Sequence, residues 1–377
     1  MGEQKSLLIN ASNLHVGGGV QVATSVIAEL SLLKNLPSGL VVWASSEVDL
    51  NLRKLGCDLD ALPRYEIVDS YGLLLIASKV SRRFNYFDVV FTIFGPLYVL
   101  SLTGKSITGF AQAFMISEED DIYSSLKLHQ RFIRRFKFKL QSLFFKKTDH
   151  LVAELDHVRL GLIRRKIGSN SNIHIIRNCF ASVYLSPNLW RDVVVDNTFN
   201  GIKLGFVGRN YSHKNTRIFP EIIKVLQNVY GIKSRVYVTF TNEEWLSCSE
   251  EFRRHVINVG SLSVSQCPTF YSRMDAVIFP SLLECFSATP LEAMVMQKPL
   301  FASDRQFNRD ICFGHAHYFD PLSPATAANA IAQVFLNGGP NAEELMAARE
   351  HAINFSNPKE RAEQYLSLLL NVANEKL

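Results

Sequence analysis

Short apolar segments alternate with longer segments of helical periodicity along almost the whole of this 377-residue sequence. Such alternation is typical of parallel sheets whose strands are connected by helices, so it predicts an α/β fold. The pattern occurs twice, on either side of a stretch near residues 178–200 that is rich in Asn and has no sustained period. We therefore predict two doubly wound sheets, and we expect their strand-end loops to face one central cleft.

The predicted domains follow this rhythm. The first covers residues 1–185, the second covers residues 186–355, and residues 356–377 are expected to form a C-terminal helix that packs back on the first domain. The strands predicted in the first domain lie at residues 6–12, 40–44, 65–68, 87–94, 106–113, 150–153 and 174–177. Those predicted in the second domain lie at residues 202–207, 234–240, 256–259, 276–279 and 300–302.

Composition excludes several classes of protein. With 47% hydrophobic and 20% charged residues, the chain is a folded globular protein rather than a disordered one. The longest uncharged apolar stretch, from Val89 to Gly104, falls short of the ~20 residues that a membrane helix needs. The sequence shows no secretory signal, and its six cysteines form no C-x-x-C pair. These features predict a cytoplasmic protein with reduced thiols, without disulfides or a zinc site.

The net charge of +5 is concentrated in the first half, where residues 1–185 hold 22 Lys and Arg against 16 Asp and Glu. Residues 127–147 contain eight of these cations and no acidic residue. One helical stripe in this segment comprises Phe132, Phe136, Leu140 and Leu143. The pattern predicts either peripheral contact with an anionic membrane or a helix whose apolar stripe packs on its own sheet. No nucleic-acid-binding motif accompanies the charge, so a nucleic-acid partner is not expected.

Three consecutive glycines, Gly17, Gly18 and Gly19, follow the first predicted strand. Glycines at a strand-to-helix turn allow the backbone to approach an anion or a sugar closely, although they can also serve only the turn itself. The spacing does not match the G-x-G-x-x-G pattern of dinucleotide sites, because Val22 occupies the third position. His15 lies in the same loop as a candidate for acid–base chemistry.

Two cations lie on the loop that leaves the first strand of the second domain. Arg209 follows Gly208, and Lys214 comes five residues later. Arg209 offers a planar fork of donors and Lys214 a mobile point charge, so together they can neutralise a diphosphate. Because surface Arg and Lys are common, this pair indicates a site only in combination with the segment at residues 279–294.

That segment contains two glutamates, Glu284 and Glu292. A strand ends at Pro280, a loop of small residues follows, and Pro290 marks the start of a helix whose N-terminus favours a phosphate. Glu284 shows no local structural role in the sequence, which favours a functional one. Glu292 has two interpretations, because Thr289-Pro290-Leu291-Glu292 also has the spacing of a capping box.

The segment at residues 280–294, Pro-Ser-x-x-Glu-x-Phe-x-x-x-Pro-x-Glu-Ala-Met, resembles the signature of the family-4 retaining glycosyltransferases. This family, also called group 1, has the GT-B fold of two Rossmann-like domains. Further agreement lies at residues 206–209, 214–215, 298–304, 307–310 and 318–321. The resemblance is dense from residue 202 to residue 337, whereas in the first half it is limited to the glycine loop and the strand order.

The resemblance implies a role for each motif residue. Arg209 and Lys214 would contact the diphosphate of the donor, Glu292 the ribose hydroxyls, and Glu284 the donor sugar. The other donor-binding positions would be Gly208, Phe286, Ser287, Ala288 and Thr289. The glycine loop would meet the diphosphate or the acceptor. Many relatives carry a His after a middle strand of the first domain, and here Gln112 stands in that region. Gln cannot act as a base, so His15 is a candidate replacement.

The function implied is transfer of a hexose from a nucleotide diphosphate sugar to a glycan acceptor, with retention of configuration. The basic first domain favours a lipid-linked oligosaccharide of a bacterial surface polysaccharide, such as a lipopolysaccharide, and a peripheral position on the inner face of the membrane. No cofactor or metal is expected, because the site lacks paired Asp residues and two cations already balance the diphosphate. Two alternatives remain, a sugar-nucleotide epimerase of the same fold and a non-catalytic binder of sugar nucleotides.

Overall fold

The computed structural model describes residues 5–117, 128–195 and 198–375. The chain divides into two compact units, the first formed by Met1–Asn178 with Pro358–Leu377 and the second by Cys179–Asn357. Each unit contains one parallel sheet with helices on both faces, so the predicted α/β fold class is confirmed.

The first unit contains a seven-stranded parallel sheet in the order β3-β2-β1-β4-β5-β6-β7. Its strands are β1 (Leu7–Ala11), β2 (Leu40–Ala44), β3 (Tyr65–Ile67), β4 (Val89–Thr92), β5 (Lys105–Gly109), β6 (His150–Ala153) and β7 (Ile173–Ile175). The residues of β1 and β2 are all buried, as expected of strands that are covered on both faces. The strand order reverses between β1 and β4, and such a point favours ligand binding at the carboxyl ends of the strands.

The second unit contains a six-stranded parallel sheet in the order β10-β9-β8-β11-β12-β13. Its strands are β8 (Ile202–Phe206), β9 (Ser234–Val238), β10 (Val256–Asn258), β11 (Ala276–Phe279), β12 (Leu300–Ser303) and β13 (His317–Phe319). The order reverses between β8 and β11. The loops that leave these two neighbouring strands carry the cations and glutamates selected from the sequence.

The helices of the first unit are α1 (Gly18–Ser31), α2 (Ser46–Lys54), α3 (Lys79–Arg83), α4 (Ala113–Ile116), α5 (Leu128–Phe145) and α6 (Asp156–Arg164). The second unit contains α7 (Phe219–Tyr230), α8 (Asn242–Leu246), α9 (Glu250–His255), α10 (Cys267–Ser272), α11 (Thr289–Val295), α12 (Gln306–Cys312), α13 (Pro324–Leu336) and α14 (Ala342–Phe355). The chain then returns to the first unit as α15 (Pro358–Asn374).

A buried arginine fixes α15 to the first unit. Arg361 is only 2% exposed, donates to the side chain of Asn178, and donates to Ser25 Oγ at 2.8 Å. Asn178 also bonds the buried carboxyl of Glu154, and burial raises the pKa of Glu154 to about 7. Asn178, the last residue of the first segment of this unit, is thereby bonded to α15, which forms the second segment.

The structural boundary between the units lies at Asn178, before the predicted boundary at residue 185. Tyr184 is buried, and its ring centroid lies 6.1 Å from that of Tyr271 in the second unit. This aromatic contact assigns the start of the Asn-rich stretch to the second unit, although the sequence there has no regular period.

Candidate functional site

The loop that leaves β8 presents Arg209 beside an acidic side chain. Arg209 Nε lies 2.7 Å from Glu244 Oε1, and its guanidinium lies 5.8 Å from the ring centroid of Tyr211. Partial burial acts to raise the pKa of Glu244, but hydrogen bonds from the Thr241 backbone N–H and from Arg209 outweigh it and lower that pKa. Glu244 is not among the residues selected from the sequence. It lies in α8, the short helix that follows the neighbouring strand β9.

Glu244 is fixed by several further bonds. Its Oε2 accepts from the Thr241 backbone N–H at 3.0 Å, and Thr241 Oγ1 accepts from the Glu244 N–H, which completes a capping box. Its Oε1 also accepts from the Asn210 backbone N–H at 3.2 Å. The backbone N–H of Gly208 donates to Thr239 Oγ1 at 3.1 Å. The Arg209 loop is therefore anchored to the end of β9 before any ligand arrives.

Lys214 and Glu284 form an ion pair between the loop after β8 and the loop after β11. Lys214 Nζ lies 2.7 Å from Glu284 Oε1, and the two side chains are only 14% and 12% exposed. Lys214 Nζ also lies 5.1 Å from the ring centroid of Phe279. Arg209 and Lys214 thus have different carboxylate partners, and their contact with one shared diphosphate stays a prediction.

Glu284 has a local structural role, so the expectation that it lacks one is wrong. Ser281 Oγ donates to Glu284 Oε1 at 2.6 Å, which is the same oxygen that Lys214 contacts. His213 Nε2 lies 3.9 Å from this oxygen. The carboxylate is held by residues of both loops, which fixes the position of its head group.

Backbone bonds hold these two loops together. The Leu282 N–H donates to the His213 carbonyl at 2.7 Å. Two short 3₁₀ turns, Ser212–Lys214 and Thr216–Ile218, flank Asn215, which has the left-handed φ of 53° and donates to the Pro321 carbonyl at 2.7 Å. The helix α7 therefore begins only at Phe219, because the left-handed residue interrupts the helical backbone before it.

The other predicted donor-binding residues lie in the loop after β11 and at the start of α11. Ser287 is buried, Ala288 is the N-cap of α11, and Thr289 Oγ1 lies 3.5 Å from the Val207 carbonyl. The ring of Phe286 lies 6.4 Å from that of Phe355. The start of α11 is thereby placed next to the β8 loop that carries Gly208 and Arg209.

The capping-box interpretation of Glu292 is wrong. The N-cap of α11 is Ala288, and no side chain caps the helix. Instead, Tyr271 Oη donates to Glu292 Oε2 at 2.9 Å. Burial raises the pKa of Glu292, while the hydrogen bond from Tyr271, the nearby hydroxyl of Tyr184 and the charge of Lys214 oppose that rise. The carboxylate is therefore directed to a buried tyrosine, which its helical spacing did not indicate.

In the first unit, the glycine loop starts α1. Gly17 is the N-cap and has a φ of 73°, which favours glycine, whereas Gly18 has an ordinary φ and space for a Cβ. At Gly19 a Cβ would lie 3.2 Å from the end of the Leu14 side chain. The turn itself therefore requires glycine at Gly17. The other two glycines leave the backbone at the N-terminus of α1 uncovered by side chains.

His15 is held between oxygen atoms of the loop after β3. Its Nε2 lies 3.0 Å from the Ser70 carbonyl, and its Nδ1 lies 3.6 Å from Asp69 Oδ1. Its ring stacks on Tyr71, with centroids 4.4 Å apart. Gln112 is half-buried and immediately precedes α4, beyond the carboxyl end of β5. Both predicted residues of the first unit therefore lie at the carboxyl edge of its sheet.

The basic helix α5 exposes part of its apolar stripe. Phe136 is 65% exposed and Leu143 is 52% exposed, whereas Phe144 and Phe145 are buried. The alternative in which the stripe packs on the sheet is therefore wrong for Phe136 and Leu143. Lys127 and the side chain of Phe132 lie outside the described residues. Among the helices that the structure describes, none is sufficiently long and apolar to cross a bilayer.

Within residues 5–117, 128–195 and 198–375, no group of three or more His, Cys, Asp or Glu has the arrangement of a metal site. The six cysteines all lie in the described part of the chain, and none of them forms a disulfide there. The requirement of the reaction for a metal stays a prediction.

Comparison with known proteins places the similarity where the motifs lie. Residues 201–337 match the family model described as glycosyl transferases group 1. The O-antigen chain mannosyltransferase RfbU of Salmonella typhimurium is 25% identical over 133 residues, which are 34% of this chain and 37% of that protein. This similarity thus spans little more than a third of the relative.

Solved structures match the fold of the whole chain. A glycosyltransferase from Rickettsia africae has a TM-score of 0.70 and 15% identity, covering 99% of this chain and 100% of that one. Anabaena Alr3699/HepE, solved with UDP and glucose, has a TM-score of 0.68 and 14% identity, covering 98% and 100% of the two chains. Residues 201–337 are thus similar to the group 1 glycosyl transferases, within a chain that has the GT-B fold.

Proposed function

We propose that the chain is a retaining, metal-independent glycosyltransferase that transfers a hexose from a nucleotide diphosphate sugar to a glycan acceptor. The observation that carries the proposal is the Lys214–Glu284 pair, which joins the loops after β8 and β11 inside the region of family similarity. The similarity to a mannosyltransferase favours a hexose, and HepE holds UDP-glucose in a further structure, which favours a nucleotide diphosphate donor.

Lys214 would stabilise the departing diphosphate. An ammonium has three N–H donors, so it can keep its bond to Glu284 while it donates to a phosphate oxygen. Negative charge grows on the leaving group as the bond to the sugar breaks, and a fixed cation in a site of low exposure stabilises that charge. Arg209 would contribute the second positive charge, with its Nε bound to Glu244 and its terminal nitrogens directed to the ligand.

Glu284 would bind the donor sugar, and Glu292 would bind the ribose. We infer that neither acts as a covalent nucleophile, because Glu284 Oε1 is already shared by Lys214 and Ser281. The acceptor hydroxyl would attack from the face that the diphosphate leaves, with a phosphate oxygen as the proton acceptor. A glycosyl adduct on either glutamate, found by mass spectrometry of the intact protein during turnover, would contradict this mechanism.

The first unit would bind the acceptor. Gly17, Gly18 and Gly19 offer open backbone at the start of α1, and His15 and Gln112 lie at the same edge of the sheet. Both ring nitrogens of His15 face oxygen atoms of the β3 loop, which favours a positioning role over that of a base. We expect a lipid-linked oligosaccharide of a bacterial surface polysaccharide as the acceptor, in keeping with the O-antigen relative.

The exposed stripe of α5 would contact an anionic membrane. Phe136 and Leu143 lie in solvent beside the exposed cations Arg135, Lys137 and Lys139. Each cation near an anionic surface contributes ~1 kcal/mol at low screening. We expect vesicles with anionic lipid to retain the protein at low salt, and F136D to weaken retention. L336D, on an exposed leucine of α13, is the control. Equal retention of both variants would contradict the proposed contact.

The test of the function has a binding stage and a turnover stage. Thermal unfolding with GDP, UDP, dTDP and their sugars identifies the donor, because a ligand at 100 times its dissociation constant stabilises the folded state by ~2.7 kcal/mol. Turnover is then measured with lipid-linked oligosaccharide extracts and radiolabelled donor, with and without EDTA. Transfer that retains the anomeric configuration and survives EDTA is expected.

Two other outcomes favour the alternative functions. Conversion of the nucleotide sugar without any acceptor would identify an epimerase. Donor binding without conversion or transfer, in the presence of acceptor extracts, would favour a non-catalytic binder. Failure of every nucleotide to raise the melting temperature would contradict all three functions.

A further inference from the structure

A cluster of polar and aromatic side chains lies at the carboxyl edge of the first sheet, where the loops after β1, β2 and β3 meet. The loop after β1 contributes His15, the start of α2 after β2 contributes Ser46, and the loop after β3 contributes Asp69 and Tyr71. These residues lie outside residues 201–337, which the family model matches. The three loops come together only through the order of the strands in the sheet.

Hydrogen bonds of Asp69 and Ser70 hold this cluster in place. Asp69 Oδ1 accepts from the Ser46 backbone N–H at 2.9 Å, and Asp69 Oδ2 accepts from the Ser46 hydroxyl. These bonds lower the pKa of Asp69, against the effect of its partial burial. The Ser70 N–H donates to the Ser12 carbonyl at 2.9 Å, and the hydroxyls of the two serines lie 2.8 Å apart. The β3 loop is therefore held firmly against the β1 loop.

His15 is oriented by this frame. The Ser70 carbonyl lies 3.0 Å from its Nε2, within hydrogen-bond distance, and Asp69 Oδ1 lies 3.6 Å from its Nδ1, so both ring nitrogens face oxygen atoms of the β3 loop. The ring then forms a flat support for Tyr71, with an angle of 12° between the two planes. Stacked rings at this distance are in full contact.

Tyr71 is nevertheless 56% exposed. One face of its ring is covered by His15, while a large part of its surface lies in water. An aromatic ring that only filled a core would bury most of this area, since each aromatic side chain can bury 150–250 Å². The fold instead holds an aromatic ring in solvent, stacked on a histidine that lies two residues before Gly17 in the β1 loop.

We propose that Tyr71 is a stacking platform for a pyranose ring of the acceptor, with His15 and Asp69 as the residues that position it. A pyranose has an apolar C–H face, which packs on an aromatic face, and a rim of hydroxyls, which need polar partners. Asp69, whose side chain is 30% exposed, lies 3.6 Å from His15 and two residues before Tyr71 in the chain, so its carboxylate is a candidate partner for those hydroxyls. The choice of a sugar rests on the proposed function.

The chain offers a matched control at Tyr86. It is 76% exposed, but it lies before β4, at the amino end of the strands. The carboxyl ends of parallel strands are where such sheets bind ligands, so an exposed tyrosine at the amino end has no expected role in acceptor binding. Y71A and Y86A therefore remove the same kind of side chain from opposite edges of one sheet.

The experiment measures saturation-transfer NMR on the full chain with methyl α-D-mannopyranoside and methyl α-D-glucopyranoside as probes. We expect transfer to the ring C–H protons of at least one glycoside for the unaltered protein, Y86A and Y71F. We expect at least a fivefold smaller signal for Y71A, and a reduced signal for H15A because the platform loses its support. No transfer to either glycoside in the unaltered protein, or equal transfer in Y71A and Y86A, would overturn the proposal.

A second measurement separates this proposal from the proposed function. Thermal shifts by GDP-mannose and UDP-glucose report donor binding in the second unit, and Y71A should leave them unchanged. Glycoside signals that depend on Tyr71, in a protein that no nucleotide stabilises, would retain the platform and contradict the transferase. Loss of the donor shift in Y71A would mean that the substitution damages the fold, and the glycoside test would then be decided by Y71F against H15A. Equal signals in those two variants would overturn the platform.

Discussion

The two units present their candidate sites in opposite ways. In the second unit each selected cation already has a carboxylate partner, Glu244 for Arg209 and Glu284 for Lys214. In the first unit the glycine loop is open, and Tyr71 lies largely in solvent on a support of buried and half-buried polar groups. In the second unit the charges of the two cations are balanced by carboxylates of the protein. The site of the first unit is instead an exposed surface of backbone and aromatic groups.

This difference follows from the ligands that we propose for each unit. A diphosphate carries a concentrated charge, so its cations must be held in place and kept from repelling one another when the ligand is absent. Carboxylate partners do both. A glycan is neutral and is recognised by shape and by many weak contacts, so open backbone and a rigid aromatic surface suffice. The comparison can be tested by changes that affect one unit and leave the other unaltered.

The largest effect is expected from Lys214. K214M removes the cation while keeping most of the apolar stem, so transfer should fall by about a hundredfold or more, equivalent to ~3 kcal/mol of transition-state stabilisation. Initial rates at saturating donor check this prediction. K224M is the control, because Lys224 forms an exposed ion pair with Glu221 and Glu251 on the surface of the same unit.

A double variant distinguishes catalysis from structure at this pair. K214M alone leaves Glu284 uncompensated, which also lowers the free energy of unfolding. K214M/E284Q removes both charges and should recover much of that stability while remaining inactive. Recovery of the transfer rate together with stability would show that the pair serves only the fold.

The second effect concerns Glu292 and pH. Burial raises the pKa of this carboxyl, and ribose hydroxyls would donate to its ionised form, so donor affinity should fall as pH drops through that raised pKa. Y271F removes a donor to the ionised form, so it should raise the pKa further and weaken the donor by about tenfold or more near neutral pH. Donor titrations over a pH series that starts at the ordinary carboxyl pKa of 4.5 and continues upward provide the measurement.

E292Q sharpens this prediction. The amide cannot ionise, so donor affinity should be low and should lose its dependence on the state of this group. The stability of E292Q should change in the opposite sense to its affinity, because a raised carboxyl pKa means that ionisation of Glu292 opposes folding as pH rises. A donor affinity in E292Q equal to that of the unaltered protein would exclude the ribose role.

The sequence predicted the sheets better than the partners of the site residues. The strands β2, β6 and β11 have the bounds that their apolar runs predict. A strand that is buried on both faces consists of consecutive apolar residues, so its ends are visible in the sequence. The pattern missed α14, which buries the small residues Ala348 and Ala352 and so has no strong apolar stripe. It also missed the three-residue edge strand β13, where only Phe319 is buried.

The site residues were selected one loop at a time, whereas their partners come from other elements. Tyr271 is far from Glu292 in sequence, and no local pattern joins the two. The partner of Arg209 did carry a signal, since Thr241-x-x-Glu244 has the spacing of a capping box before α8. This spacing predicts the start of a helix, but it does not predict that Glu244 also binds Arg209.

The third effect tests Glu244 as the residue that positions Arg209. E244A should weaken the donor by about tenfold, because the guanidinium loses the charged hydrogen bond that orients it. The control is S249A, which removes the N-cap of α9 without contact to Arg209. S249A should lose ~1 kcal/mol of stability from the missing N-cap, whereas E244A loses the reciprocal bond of a capping box whose N-cap, Thr241, is still present. Equal donor affinity in the two variants would assign Glu244 a purely structural role.

The smallest effect on the fold is expected at Gly18. A Cβ there meets no atom within 4 Å and the backbone angle is an ordinary one, so G18A should leave the free energy of unfolding within about 0.5 kcal/mol. G314A, at a glycine in the second unit with equal space, is the control for stability. If the open backbone serves a ligand, G18A alone should raise the KM for the acceptor several-fold while donor binding stays unchanged. Identical kinetics in the two variants would restrict the role of the glycine loop to the turn at Gly17, and the site of the first unit would then be confined to the residues around Tyr71.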